Sequence, residues 1–97
     1  MSRLVQAGLM SRCLEFKPSP TLTLGAELEL QLLDKNSHNL SSSSPQVLRL
    51  LKGNKNVKSE LYQSMIEITT DICDSALDLD QQLNTTLDQL RSACKKL

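Results

Sequence analysis

From Thr21 to Leu33 apolar and polar residues alternate along the chain. Leu22, Leu24, Ala26, Leu28, Leu30 and Leu32 fall on one side, and Thr23, Gly25, Glu27, Glu29 and Gln31 on the other. A period of two predicts a half-buried strand. Leu, Glu and Gln also favour helix, so the alternation and the Thr-Leu-Thr-Leu-Gly opening decide for strand. Pro18 and Pro20 precede it and disfavour helix at Lys17 and Ser19. Asp34-Lys35-Asn36-Ser37 is a turn cluster that ends the strand, and Leu40 is placed to close a short hairpin arm.

The period then changes. Ser44 at N-cap with Pro45 at the first helical position predicts a helix of about two turns, with Val47, Leu48, Leu50 and Leu51 on its apolar side and Gly53 as its stop. Asn54–Lys58 reads as a polar connection. Alternation returns over Glu60–Ile72: Tyr62, Ser64, Ile66, Ile68, Thr70 and Ile72 share one face, and Leu61, Gln63, Met65, Glu67 and Thr69 the other. The β-branched run in its middle favours a second strand. Asp74 or Ser75 caps a final helix, in which Ala76, Leu79, Leu83, Leu87, Leu90, Cys94 and Leu97 recur at spacings of three and four. Acids near its start and bases near its end suit the helix dipole. The expected organisation is a lead-in over 1–17, weakly ordered or helical, and a β-α-β-α unit over 18–97. The expected class is α+β: an antiparallel or mixed sheet of at least two strands, packed against a short helix and a long C-terminal amphipathic helix.

Composition narrows the function classes. Ninety-seven residues suit one small domain or a piece of a larger one. Eleven basic residues balance eleven acidic ones, so no global field draws nucleic acid or an anionic membrane. Phe16 and Tyr62 are the only aromatics, too few for a base-stacking platform. No apolar run approaches the ~20 residues of a membrane span. Arg3 and Arg12 give the first residues a faint transit-like character without a cleavage signal. Cys13, Cys73 and Cys94 have no metal or disulfide spacing, and read as reduced, mostly buried thiols of a cytoplasmic protein.

Glu27 and Glu29, two apart on a strand, project to the same side roughly 7 Å apart. Glu67, alone among uncharged neighbours, joins them if the two strands share a sheet in suitable register. Three carboxylates on one concave face repel one another unless a hard cation such as Mg²⁺ neutralises them. On spacing alone an ordinary solvent-facing sheet face is the first reading, and a metal site the second.

The two strands also carry recognisable words. Thr23-Leu24-Gly25-Ala26-Glu27-Leu28-Glu29-Leu30-Gln31-Leu32 resembles the T-L-G-V-E-x-E-L-Q-L opening of glutamate–cysteine ligase family 2, the bacterial carboxylate–amine ligases. Glu60-Leu61-Tyr62-Gln63-Ser64-Met65-Ile66-Glu67-Ile68 resembles that family's second motif, E-L-[FY]-Q-S-x-I-E-[IL]. The motifs stand in the right order, and the resemblance extends over about residues 16–97. It implies the N-terminal part of a glutamine-synthetase-like ligase fold. It implies an ATP-dependent ligase that forms a γ-glutamyl amide through an acyl-phosphate. Glu27, Glu29 and Glu67 would hold Mg²⁺ (or Mn²⁺) against the phosphates of ATP, Gln63 and Ser64 would bind substrate, and the backbone of Gly25 would approach the nucleotide. Many members carry acids at three successive positions where this chain has Glu27-Leu28-Glu29, so no third acid acts here.

Family members run to several hundred residues, so the chain is expected to be an N-terminal fragment without ligase activity by itself. Its small-molecule partners would be ATP, a glutamate-like acid and an amino-acid amine, with no nucleic acid and no membrane. A homo-oligomer is expected from an exposed sheet edge and helix stripe. The alternative is a non-catalytic, self-associating interaction module built on the Ala76–Leu97 stripe. His38 in its turn, Ser41–Ser44, and the loose set Lys52, Lys55 and Lys58 read as solvated surface.

Overall fold

The structure is a computed structural model that describes residues 18–97. The expected lead-in 1–17, with Arg3, Arg12 and Cys13, lies outside the described residues. Five elements follow: β1 (Glu27–Gln31), α1 (Ser44–Leu50), β2 (Val57–Ser59), β3 (Met65–Thr69) and α2 (Ala76–Lys95). The strands form one antiparallel sheet in the order β1-β3-β2. This is the α+β architecture expected from the two hydrophobic periods.

The strands are shorter than the alternation. β1 covers only the middle of Thr21–Leu33, continued by isolated bridges Leu24–Cys73 and Leu33–Leu40. Its ladder is interrupted by a bulge. Thr70 donates to the Ala26 carbonyl at 3.0 Å, whereas the next bridge joins Leu24 to Cys73. Asp71 and Ile72 therefore oppose the single residue Gly25, the two-against-one arrangement of a β-bulge. At the other end, the hairpin arm closes as expected. Asp34 Oδ1 accepts from the N–H groups of Asn36 and Ser37, and His38 takes a positive φ of 61°. β3 loses Glu60–Ser64 to a turn, in which Met65 N–H donates to the Tyr62 carbonyl.

Two further boundaries differ from expectation. Helix α1 starts one residue earlier than its Ser-Pro signal: Ser43 is the N-cap, and Ser44 is buried in the first turn. The Ser44 N–H reaches out to the Gln63 carbonyl at 2.9 Å, an external partner that serves an amide with none inside the helix. Asn54–Lys58, expected as a connection, runs into β2, because Val57 is buried against the sheet and Lys58 pairs with Glu67.

Both helices lie on one face of the sheet. Ile66 and Ile68 of β3, with Leu32, Val47, Val57, Leu90 and Ala93, make the buried core, and Leu30, Leu48, Leu51, Leu83, Leu87 and Cys94 pack around it. The α2 stripe is thus occupied by the sheet, widened by Thr86 and Ala93, which are buried on the same side. Ser75 rather than Asp74 caps α2, its hydroxyl accepting from Asp78 N–H at 3.1 Å. A polar seam fixes the helix along the sheet: Asn54 donates to Gln89 Oε1 at 2.8 Å, and Asp71 N–H donates to Gln82 Oε1 at 2.9 Å. Among the described residues no helix is long and apolar enough to cross a membrane.

Candidate functional site

With both helices on one face, the other face of the sheet is left to the alternate residues. Register places them. Glu29 pairs with Glu67, Glu67 pairs on its other side with Lys58, and Glu27 pairs with Thr69. Directly paired residues in an antiparallel ladder project to the same side. Glu27, Glu29, Glu67, Thr69 and Lys58 therefore share the face that no helix of the described residues covers, here the helix-free face, on strands about 4.8 Å apart. The two sequence-predicted motifs are joined by this register.

The carboxylates are not equivalent. Glu27 and Glu29 are exposed, whereas Glu67, on the central strand, is half-buried. Its carboxyl is held above its ordinary value, first by partial desolvation, then by the charge of Glu27 and a hydrogen bond with it, then by the charge of Glu60. Lys58 opposes these effects. The partner that Glu67 feels is thus its diagonal neighbour Glu27, and Glu29, its direct cross-strand partner, is not among the causes. Among the described residues no three acidic, histidine or cysteine side chains converge on one metal position. Two converging carboxylates are nonetheless a common protein contribution to a Mg²⁺ site, where phosphates and waters complete the octahedron. The Glu27–Glu67 pair fits that role, and Glu29 lies beside it on the same face.

Gly25 stands at the bulge end of the sheet. A Cβ built there meets only Thr70 Oγ1, at 4.0 Å, and its φ is not positive. Neither packing nor backbone strain in this chain calls for glycine, so its effect is to leave the adjoining surface open. Gly25, Ala26, Glu27, Lys58, Thr69 and Thr70 line a shallow depression of about 410 Å³. The Thr70 hydroxyl accepts from Ala26 N–H at 3.0 Å and holds its rim.

Gln63 and Ser64 are not brought to this depression. They lie in the turn before β3, roughly 17 Å from Thr69 along the strand. Their carbonyls are structural: Gln63 accepts from Ser44 N–H, and Ser64 from Leu32 N–H at 2.7 Å. The Gln63 side chain is exposed and Ser64 half-buried.

The residue missed by sequence reasoning is Lys58. Lys52, Lys55 and Lys58 do not form a patch, since Lys55 pairs with Asp71 at 3.4 Å while Lys58 stands in β2 opposite Glu67. The signal was the short alternation Val57-Lys58-Ser59, too brief to separate from a loop. Cys73 is buried, and its thiol is pushed above its ordinary value by desolvation. Cys94 is half-buried.

An antiparallel sheet with one face packed by helices and the other bearing paired carboxylates defines the class: an α+β domain with an acidic open face. A family model described as glutamate-cysteine ligase family 2 matches residues 23–97, and the chain belongs to that family. It is 42% identical over 85 residues to a protein of Ralstonia pickettii named "Putative glutamate--cysteine ligase 2", a match that spans 84% of this chain and 22% of that protein. Proteins of the same name from Cupriavidus metallidurans and Gloeobacter violaceus are 38% and 36% identical over 85 residues, each match spanning 84% of this chain and 23% of the relative. The chain thus corresponds to less than a quarter of the length of these relatives.

Proposed function

We propose that this chain is the N-terminal portion of an ATP-dependent carboxylate–amine ligase of the glutamate–cysteine type, and that its helix-free sheet face carries part of the Mg-ATP site. In the reaction proposed, the γ-phosphoryl group of ATP passes to the carboxylate of glutamate or a similar acid, releasing ADP. The amine of a second amino acid then attacks the acyl-phosphate carbon. Phosphate leaves, an amide forms and the amine nitrogen loses a proton.

Mg²⁺ or Mn²⁺, when bound, neutralises charge on the phosphates during such a transfer. The residues of this chain would hold and orient it. Glu27 and Glu67 would supply two carboxylates on one face, near enough for the charge of Glu27 to hold Glu67 above its ordinary value, and Glu29 lies beside them on the same face. Gly25 leaves the neighbouring surface free for the nucleotide. Gln63 and Ser64, at the far end of the sheet, would belong to a substrate region separate from the phosphates.

One observation carries this reading: in a chain of this family, the register puts Glu67 on the face that no helix of the described residues covers, with Glu29 as its direct partner and Glu27 as the diagonal neighbour whose charge it feels. It is tested by Mg²⁺–ATP titration of the full natural chain with Glu27→Gln and Glu67→Gln. Loss of one charge-assisted contact is expected to weaken binding about tenfold or more. Unchanged nucleotide binding and turnover in both variants would sink the reading. The isolated 97-residue chain is expected to release no ADP with glutamate and cysteine.

The interaction-module reading draws less from the structure, because Leu83, Leu87, Leu90 and Cys94 of the α2 stripe are engaged with the sheet. Self-association as part of the ligase reading would use the edge of β1 that pairs with no strand of the described residues, where Leu28 is 40% exposed. Light scattering that shows only monomer over a wide concentration range would exclude it.

A further inference from the structure

Lys58 projects onto the helix-free face directly beside Glu67, yet it takes no part in the ion pairs of the described residues, which are Lys55–Asp71 and Arg91–Asp88. Its side chain instead lines the depression at the bulge end of the sheet, opposite Glu27 and beside Thr69. We infer that Lys58 is a phosphate-binding residue: Lys58 and Glu27 both line this depression and Glu67 stands beside Lys58 on the intervening strand β3, so a nucleotide phosphate seated there would lie between the lysine and a divalent cation held by the carboxylates. The inference rests on the Mg-ATP reading above and adds to it the residue that would hold the anion.

The chemistry follows from the mixture of signs. Two carboxylates by themselves repel a polyphosphate, and one lysine does not offset both. A divalent cation on the carboxylates reverses this, and it needs phosphate oxygens to fill its remaining positions. The oxygens not on the metal then require donors. A lysine supplies that donor as a compact point charge, and the Thr69 hydroxyl is a second group on the same lining. Gly25 contributes by absence: a side chain there would meet only Thr70 and would otherwise occupy the depression. The arrangement selects a metal-bound phosphate over a free anion, so nucleotide binding should depend on Mg²⁺.

The test uses isothermal titration of the full natural chain, with Mg²⁺ alone, ATP alone, and ATP with Mg²⁺. Lys58→Gln is expected to weaken Mg²⁺–ATP binding ~10- to 100-fold. Lys58→Arg, which keeps the charge, should stay within a few-fold of the unsubstituted protein. Affinity for Mg²⁺ without nucleotide should not fall in Lys58→Gln. A thermal unfolding curve confirms that the variant is folded, and Lys58→Met carries the test should Lys58→Gln fail to fold. If Lys58→Gln binds Mg²⁺–ATP as tightly as the unsubstituted protein while Glu67→Gln does not, the inference is overturned and the ligase reading stands. If the unsubstituted protein binds no nucleotide, both fall.

Discussion

The two faces of the sheet are made by alternate residues of the same strands, and they are built on opposite principles. On the helix side Ile66, Ile68 and Val57 meet Leu90, Ala93 and Val47, and every one of these side chains is buried. On the other side Glu67, Glu29, Glu27 and Lys58 are exposed or half-buried, and the pair that meets, Glu67 with Glu27, repels. Burial of apolar area stabilises the first face. Nothing within the described residues neutralises the second except Lys58. Two carboxylates set near each other, where an outward-facing polar residue would cost nothing, support the site proposed on that face.

Breaking the packed face gives the largest expected effect. Ile66→Ala removes a fully buried side chain at the centre of the core and is expected to cost about 2–5 kcal/mol. Glu29→Ala, one position from it in the ladder but on the other face, should change stability by no more than about 0.5 kcal/mol. Urea unfolding of the two variants measures both. A large loss in Glu29→Ala would mean that the acidic face also holds the fold together, and the contrast between the faces would fail.

How much of this contrast was readable beforehand depended on the length of each period. β1, β3 and α2 were legible because alternation or a three–four stripe ran through several residues, and Glu27, Glu29 and Glu67 came with them. Which acids meet was not legible, because register is fixed between strands and not along them. The pairing of Glu67 with Lys58 required β2, a strand of three residues whose pattern is too short to see. The bulge opposite Gly25 was hidden for a similar reason: the continuous alternation through Thr21–Leu33 gave no sign of the extra residue on the partner strand. Thr86 is not part of the apolar stripe expected for α2, although its position three residues after Leu83 puts it on the buried side. Gln63 and Ser64 came from the motif alone, and the turn they occupy sets them away from the carboxylates.

Two local devices position the packed face, and their loss should be smaller. Ser75→Ala removes the hydroxyl that accepts from Asp78 N–H at the start of α2, for an expected loss of ~1 kcal/mol. Gly53 has a φ of 90° with open space around it, so Gly53→Ala should cost ~1 kcal/mol through the backbone alone, close to the strain of a left-handed non-glycine residue. Thermal unfolding should show both, with Mg²⁺–ATP affinity of the folded full chain unchanged. A change in that affinity for Ser75→Ala would couple α2 to the acidic face through β3.

The smallest effect separates the faces by pH. Asp34 lies in the hairpin turn, where hydrogen bonds from Ser37 and Asn36 hold its carboxyl below its ordinary value. Its ionised form is favoured by folding, so its contribution is present above the unfolded value and is lost as pH falls through the folded one. Glu67 has the opposite sign. Its folded value is raised, so between the unfolded and folded values the native state holds more proton than the unfolded chain. Its ionisation therefore costs stability as pH rises from the unfolded value through the folded one, and the cost persists at neutral pH. Unfolding midpoints measured from about pH 3 to about pH 7, across the carboxylate range, should fall at the acid end less steeply in Asp34→Asn. Glu67→Gln should remove the downward step above the ordinary carboxylate value and be more stable than the unsubstituted protein at neutral pH, while binding Mg²⁺–ATP more weakly. Gain of stability with loss of binding is the mark of a residue kept for its site. A Glu67→Gln variant that is less stable at neutral pH would show instead that Lys58 already satisfies this carboxylate, and the acidic face would then be an ordinary charged surface.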